Sequence, residues 1–600
     1  MNILHLLSQN HLTGSEVYSA TLAELQATAK HNIHQISNGF FKVTEAKQIT
    51  LQVETKSKVT FLKNIFWLRD YILQNNIHVV HSHSRASAKL AFYATLFSRT
   101  AHVSTVHGIQ HSSFSKKLLN QYGEFTITVC GNLKSHLTND FGYKAERIKN
   151  IPNPISKNLY HYLAPSAEPK DKYSIAIIGR TTGPKGTRTE LAIKEILKLG
   201  AKYKISVVGG QLKDLNLSPS EKAEITEVSE AKLNSAFYRK YDLVIGSGRV
   251  SMEALLTGVP CIAFGESKYV GLITLENFKQ ALNSNFGDIH PDSKTPALNS
   301  EDFRKDLQNA FSGLDSEHLK QLAKLASHHF DENWIAQQIE RIYESAYFLK
   351  NYSSWIPVLM YHKIPQQEIQ SQHKIFVTAH NFEKHLQFYK KQGFTTLTFS
   401  ELSLFRKGLL NFKHFPKKPL VLTFDDGYRD NLETASPLLK KYGFKAQLFL
   451  LADNKIKSNV WDLNGDEPSH EIMSAEERQA WKSSAYEIGS HGFKHQKITD
   501  FSYEQAQSEL TNSKIALEDE FKVPIQSFAF TYGVTRPEGA EMAQRAGYEY
   551  ALNTDTGGML LEEDPYAIFR VNIFPNETTS SLRKKTAKWY RCYYKFKRKK

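Results

Sequence analysis

The sequence predicts an α/β protein of three successive modules built on parallel sheets, and three observations carry that prediction. Its 600 residues exceed one hydrophobic core, since domains run to about 150 residues and large α/β units somewhat more. Short apolar runs alternate with stretches of helical period, as in parallel strands joined by crossover helices. That alternation pauses and restarts twice, near Pro154 and near Asn351.

In the first module the candidate strands are residues 2–7 (NILHLL), 77–83 (IHVVHSH), 102–108 (HVSTVHG) and 125–130 (FTITVC). Between the first two, Phe61, Ile65, Leu68 and Ile72 fall at i, i+4, i+7 and i+11, one apolar stripe of a helix. After IPNPI (151–155), a polar stretch containing SAEPKDK (166–172) reads as a linker. Strands at 173–179, 204–210, 242–247 and 260–265 then open a second Rossmann-like set. Residues 301–350 are helical in pattern, with Trp334, Ile335, Ile339, Ile342 and Tyr343 on one side. A new strand at Ile356 starts the third module. The expected limits are 1–165, 166–350 and 351–582, followed by a basic aromatic tail over 583–600.

Three cysteines, Cys130, Cys261 and Cys592, are odd in number and lack metal-ligand spacing, which argues against a disulfide framework and for a reducing compartment. The opening MNILHLL has no basic region before its apolar run and reads as a buried strand. No segment reaches the roughly 20 apolar residues that span a bilayer. A cytoplasmic protein, soluble or peripheral on the inner face of the membrane, is expected.

Two thirds of the formal charge of +15 sits in the last 18 residues, which hold ten Lys/Arg and no acid. Among those cations stand Trp589, Tyr590, Tyr593, Tyr594 and Phe596. This composition suits an anionic membrane surface with rings at its interface. A solvated, disordered end is the plainer alternative. No nucleic-acid partner is expected, because no fold signature accompanies the charge.

In the third module the apolar run LVLTF ends abruptly in Asp425, Asp426 and Gly427. Carboxylates at strand ends are placed for chemistry in parallel α/β folds. About 65 residues later, after another short strand, His491 and His495 stand four apart. Two imidazoles and one carboxylate leave open coordination positions on a metal ion for water and substrate. Adjacent residues of extended backbone point apart, so one aspartate can bind the ion while the other takes a proton. Each piece alone has an ordinary reading as a turn or a surface pair; their succession within one module points to hydrolysis.

TFDDG, SHGFKH (490–495) and SFAFTYG (527–533) resemble the ordered motifs of the NodB-homology polysaccharide deacetylases, carbohydrate esterase family 4. VLMYHKI (358–364), residues 376–402 and PLLKKYGFKAQLFL (437–450) resemble the branch acting on poly-N-acetylglucosamine. The resemblance covers about 355–575. It implies a distorted (β/α) barrel, with Asp425 as general base and Asp426, His491 and His495 as metal ligands. It further implies a backbone N–H of Tyr532 at the oxyanion and His362 as general acid. The implied ion is zinc, with iron, cobalt or nickel admitted by the same donors. Thr531 stands where the family commonly has proline, and RVNI (570–573) lacks a late histidine.

In the first two modules glycines stand at strand ends in LTGSEVYSA (12–20), VHG (106–108), IGRTTGPKG (178–186), VVGG (207–210) and IGSGRVSMEALLTGVPCIAFG (245–265). Glycine lets backbone approach a phosphate, and a following helix N-terminus adds partial positive charge. These segments resemble family 4-type glycosyltransferases of GT-B architecture, two Rossmann-like lobes facing a cleft. By that resemblance Arg180 and Lys185 neutralise the leaving diphosphate and Glu253 binds the ribose. Gly14 gives the donor or acceptor access to the first lobe, and His107 faces the transfer site. The family often carries a second glutamate eight positions before the ribose ligand; here that position is Ile245.

The two resemblances imply a bifunctional enzyme of cell-surface glycan synthesis. One half transfers a sugar from a nucleotide donor to a lipopolysaccharide, lipooligosaccharide or lipid-linked acceptor, and the other deacetylates an N-acetylhexosamine. The rival reading is a single deacetylase served by a non-catalytic, GT-B-like glycan-binding or scaffolding module.

Overall fold

A computed structural model of the chain describes residues 1–8, 14–40, 45–110, 119–164, 172–229, 232–290, 298–371, 373–462, 468–484, 486–554 and 564–598. Leu12 and Thr13 of the first glycine motif, and nearly all of the expected linker, lie outside them. The chain divides into two compact units, Met1–Ala346 and Tyr347–Lys600.

The first unit contains two parallel sheets. One runs β3-β2-β1-β4-β5-β6-β7, built from β1 (Asn2–Leu6), β2 (Asn32–Ser37), β3 (Lys47–Thr50), β4 (Val79–Ser82), β5 (Ala101–Val106), β6 (Phe125–Thr128) and β7 (Ile148–Asn150). The other runs β10-β9-β8-β11-β12-β13, from β8 (Tyr173–Ile178), β9 (Tyr203–Val208), β10 (Ile225–Val228), β11 (Leu243–Gly246), β12 (Cys261–Phe264) and β13 (Tyr269–Leu272), the last antiparallel. In each sheet the order reverses beside the first strand, at β1/β4 and at β8/β11. Loops leaving the carboxyl ends of strands at such a reversal form the crevice in which open α/β sheets bind ligands.

The helix stripe read from the sequence lies in α2 (Lys58–Gln74), where Leu68 and Ile72 are buried and Phe61 and Ile65 pack beside them. Strand β2 was not anticipated. Its NIHQIS carries His34 and Gln35, which interrupt any apolar run, yet both are buried. His34 is held by the Tyr71 hydroxyl at 2.6 Å.

The second unit is a curled parallel sheet in the order β20-β19-β18-β17-β16-β14-β21, with β15 added beside β16. Its strands are β14 (Val358–Tyr361), β15 (Thr395–Thr396), β16 (Pro419–Phe424), β17 (Gln447–Leu450), β18 (Glu487–Ser490), β19 (Ser527–Ala529), β20 (Tyr550–Leu552) and β21 (Val571–Asn572). The expected distorted barrel is therefore an open one, with β20 and β21 at its edges. Every residue of β16 is buried, as expected of a strand covered on both faces. Each of its large apolar side chains contributes about 1.5–3 kcal/mol by leaving water. That run fixes the register that delivers Asp425 to the strand end.

The tail differs from a free end. Helix Tyr590–Arg598 docks on the second unit. Tyr590 is buried and stacks on Trp355, while Tyr594 packs on Phe569. Trp589, Tyr593 and Phe596 remain exposed. Among the described residues no helix is long and apolar enough to cross a membrane.

Candidate active sites

Strands β14, β16 and β18 end at one edge of the sheet, with β17 between the last two, and each hands its next residue to one cavity of 360 Å³: His362, Asp425 with Asp426, and His491. The turn after β16 is sharp. Asp426 has φ 73° and Gly427 φ 81°, and a Cβ at Gly427 would strike the Leu450 side chain. Left-handed backbone at a non-glycine residue costs roughly 1–2 kcal/mol, and here it separates the two carboxylates into two roles.

Asp426 faces the histidines. Its Oδ1 lies 3.3 Å from His491 Nε2 and 3.2 Å from His495 Nε2, all three side chains being buried. His491 Nδ1 donates to the Ala529 carbonyl at 2.8 Å, which leaves its Nε2 bare toward Asp426. A hydrogen bond from the far ring nitrogen fixes the tautomer that a metal ligand needs. His495, also left-handed at φ 59°, is stacked on Trp461 at 4.3 Å and meets the edge of Tyr532 at 4.5 Å. Burial alone would raise the Asp426 pKa, but the His495 and His491 rings hold it well below the carboxylate range. The donor set of two imidazoles and one carboxylate suits a divalent ion of the zinc type.

Asp425 is held differently. Arg570, wholly buried, donates to both its oxygens at 2.6 and 2.7 Å, and also reaches the Asn553 carbonyl at 3.1 Å. Burial raises the Asp425 pKa, and Arg570 followed by His491 overcomes it, so the group lies below its ordinary value. His362 Nε2 stands 3.9 Å from Asp425 Oδ2. Burial lowers the His362 pKa against the pull of Asp425 and Asp426. The loop bearing His362 is clamped from the DDGYRDN segment itself: Asn431 Nδ2 donates to the His362 carbonyl at 2.7 Å, and Asp430 accepts from the Ile364 N–H at 2.8 Å.

Tyr532 lines the same cavity, in a turn with φ 56°. Thr531 does by hydrogen bonding what a proline would do by stiffness: its hydroxyl donates to the Gln496 carbonyl at 2.6 Å and ties the turn to the histidine loop. The structure thus brings together all six residues read from the sequence in this half. Sequence reasoning missed Arg570, Trp461 and Asp462. A single arginine inside the apolar IFRVNIF was the available sign of a buried ion pair.

The second site lies in the first unit, in a cavity of 550 Å³ where loops of its two lobes meet. Gly14, His107, Arg180 and Lys185 line it. Both cations already face carboxylates. Arg180 lies 3.1 Å from Glu266, and Lys185 lies 3.0 Å from Asp288. Glu253 does not line this cavity: its buried carboxylate accepts from the Tyr238 hydroxyl and from Arg249 Nε, both at 2.7 Å. From its helix, Arg249–Thr257, Arg249 and Val250 line the cavity. Arg188, unnoticed in the sequence, is buried and ties the ends of β8, β11 and β12 through the Ile178 carbonyl, the Ser247 hydroxyl and the Phe264 carbonyl.

The first unit is two-lobed with a cavity where loops of its lobes meet, and the second is an open barrel with a buried Asp–His–His cluster able to hold a metal ion. Residues 12–159 match the family model Glycosyltransferase Family 4, and residues 412–551 match Polysaccharide deacetylase. YxkH of Bacillus subtilis, named for the polysaccharide deacetylases, is 29% identical over 228 residues, 38% of this chain and 74% of its own. The poly-β-1,6-N-acetyl-D-glucosamine N-deacetylase of Staphylococcus aureus is 23% identical over 205 residues, 33% of this chain and 67% of its own. A glycosyltransferase structure from Rickettsia africae aligns with 57% of this chain and 98% of its own, at 18% identity and TM-score 0.44. The chain joins a family 4 glycosyltransferase domain at its N-terminal end to a polysaccharide deacetylase domain at its C-terminal end.

Proposed function

We propose that the second unit hydrolyses the acetamide of an N-acetylhexosamine with a divalent ion, zinc by donor type, held by Asp426, His491 and His495. The convergence of those three buried side chains carries the reading. When bound, such an ion polarises the amide carbonyl and acidifies its water. Asp425, kept ionised by Arg570, accepts the proton of the attacking water, and the Tyr532 N–H serves the oxyanion. His362 protonates the departing amine, so acetate and an amino sugar leave. Purified full-length protein is expected to carry about one equivalent of metal and to release acetate from N-acetylglucosamine oligomers. Full metal content and acetate release in His491→Ala would sink the assignment.

The first unit, in the same reading, transfers an N-acetylhexosamine from a nucleotide sugar to a lipid-linked or lipopolysaccharide-type acceptor. Arg180 and Lys185 take the diphosphate, and Gly14 and His107 border the reacting groups. Fusion then raises the concentration of acetylated product at the second site. The rival, a binding module without transfer, draws support from the acids that already occupy both cations and from Ile245. UDP-sugar turnover by the full chain discriminates the two.

The exposed Trp589, Tyr593 and Phe596 at i, i+4 and i+7, set among Lys584, Lys588 and Lys597, support peripheral attachment to an inner membrane leaflet. Because Tyr590 is part of the core, point variants test this better than truncation. Trp589→Ser with Phe596→Ser is expected to lower vesicle binding, and unchanged binding removes the tail from the account.

A further inference from the structure

Histidine is an uncommon choice for the interior of a parallel sheet, and the first unit packs three of them together. Side chains two apart on a strand share a face, so His81 of β4 and His83, which follows that strand, point the same way. In the parallel register His5 of β1 stands beside His81. The ring centroids are 4.1 Å apart for His81 and His83, 5.2 Å for His5 and His83, and 5.5 Å for His5 and His81. All three side chains are buried.

Their protons can be placed. Burial pushes the His5 pKa down to about 4 and holds those of His81 and His83 well below the imidazole range. Each ring is therefore neutral, with one N–H and one lone pair. His5 Nε2 lies 2.8 Å from Gln26 Oε1, and the other end of that amide donates to the Tyr343 hydroxyl at 3.3 Å. The His5 proton thus sits on Nε2 and its Nδ1 is bare. That bare nitrogen is 3.0 Å from His83 Nε2, which carries the His83 proton. His83 Nδ1 is left as a buried lone pair without a hydrogen-bond partner. His81 faces two hydroxyls, Tyr343 at 2.6 Å and Thr105 at 2.7 Å, each able to donate or accept, so either of its nitrogens can be the bare one.

We propose that His5, His81 and His83 form a metal site within the first unit, for a divalent ion of the zinc type with water or hydroxide in its remaining position. One nitrogen from each ring lies within 4.8 Å of the other two. A tetrahedral ion with bonds of about 2.0–2.1 Å holds its nitrogens about 3.3 Å apart, so small ring rotations close the set. The proton shared between His5 and His83 passes to His83 Nδ1, the ring nitrogen of the trio that has no partner. The bonds from His5 to Gln26 and from His81 to its hydroxyls are of the kind that orient metal-bound imidazoles. The titratable groups that act on His81 and His83 are other histidines, so no carboxylate offsets the charge of the ion. The site is accordingly weaker than one containing an aspartate, and it fills when metal is added rather than holding metal through purification. It lies at the β1/β4 reversal, and the His83 ring is 6.3 Å from that of His107, which lines the transferase cavity. An ion here adds positive charge beside a cavity whose own cations already face acids.

Titration of chelator-treated full-length protein with cobalt(II), read by its visible absorption, tests the inference. His491→Ala, which removes a ligand from the other triad, is expected to take up about one equivalent. Adding His83→Phe, which keeps a ring in the core, should weaken that uptake by more than about a hundredfold, and Gln26→Leu by about tenfold. Melting temperature establishes that each variant is folded. Should the His83 variant not fold, anomalous scattering at the zinc edge from zinc-soaked crystals of His491→Ala is expected to place the ion among His5, His81 and His83. No cobalt uptake by His491→Ala, undiminished uptake by the folded His83 variant, or an anomalous peak elsewhere overturns the inference. The His83 comparison is made within one background, so it decides the matter whatever His491 does.

Discussion

The two cavities use charge in opposite ways. In the deacetylase cavity the anions outnumber the fixed cations: Asp425 is matched by Arg570, and Asp426 meets only two imidazoles. In the proposed reading a bound ion supplies the missing positive charge, and Asp426, His491 and His495 are the residues able to hold it. In the transferase cavity the fixed cations are already balanced, Arg180 by Glu266 and Lys185 by Asp288. In the proposed reading a diphosphate entering there displaces Glu266 and Asp288 from the two cations, so its binding is an exchange of partners. The first arrangement lacks a positive charge; the second already carries its own counterions.

The contrast can be broken most directly at the ion. His491→Ala, or treatment with a chelator, should reduce acetate release at least a thousandfold, equivalent to about 4 kcal/mol of transition-state stabilisation. Returning zinc should restore the chelated protein but not the variant. Equal residual rates in all samples would mean that hydrolysis does not run through this triad. Next in size is Arg570→Ala, which strands a buried carboxylate and should cost about 3–5 kcal/mol of the unit's stability, read by urea unfolding. A loss below about 1 kcal/mol would show Asp425 to be solvated or protonated in that variant.

On the transferase side, Lys185→Ala should weaken UDP binding about tenfold in calorimetry, the worth of one charge-assisted contact. Glu253→Gln should change it no more than about twofold, since the carboxylate serves Tyr238 and Arg249 rather than the cavity. If Glu253→Gln abolished binding instead, the ribose assignment read from the sequence would stand and the geometry would describe a resting arrangement. The smallest effect belongs to Thr531→Val. Loss of its bond to Gln496 should cost about 1 kcal/mol and a few-fold in rate.

What could be read from the sequence follows the same division. Strands of the buried parallel sheets announced themselves as apolar runs, and Asp425 and Asp426 were visible because an apolar strand ended on them. β2 escaped because its buried polar side chains find partners far along the chain, His34 Nδ1 at the Tyr71 hydroxyl and Gln35 at Gln48. Arg570 escaped for a related reason: an ion pair linking residues 145 apart leaves no local pattern. Glu253 was placed by family resemblance, and the resemblance carried no information about Arg249, four residues earlier on its helix. The tail was legible in composition but not in its two faces, since a helix divides aromatic residues between packing and exposure by direction, which only contact with Trp355 and Phe569 reveals.

Asp426, His495 and Tyr532 all adopt left-handed backbone around one small volume. Glycine at any of them would relieve roughly 1–2 kcal/mol of backbone strain, and in the proposed reading it would remove a side chain or a backbone position the chemistry uses. Durability and chemistry therefore pull against each other within three positions. An engineer seeking a sturdier catalyst should leave that ring untouched and work on surfaces elsewhere.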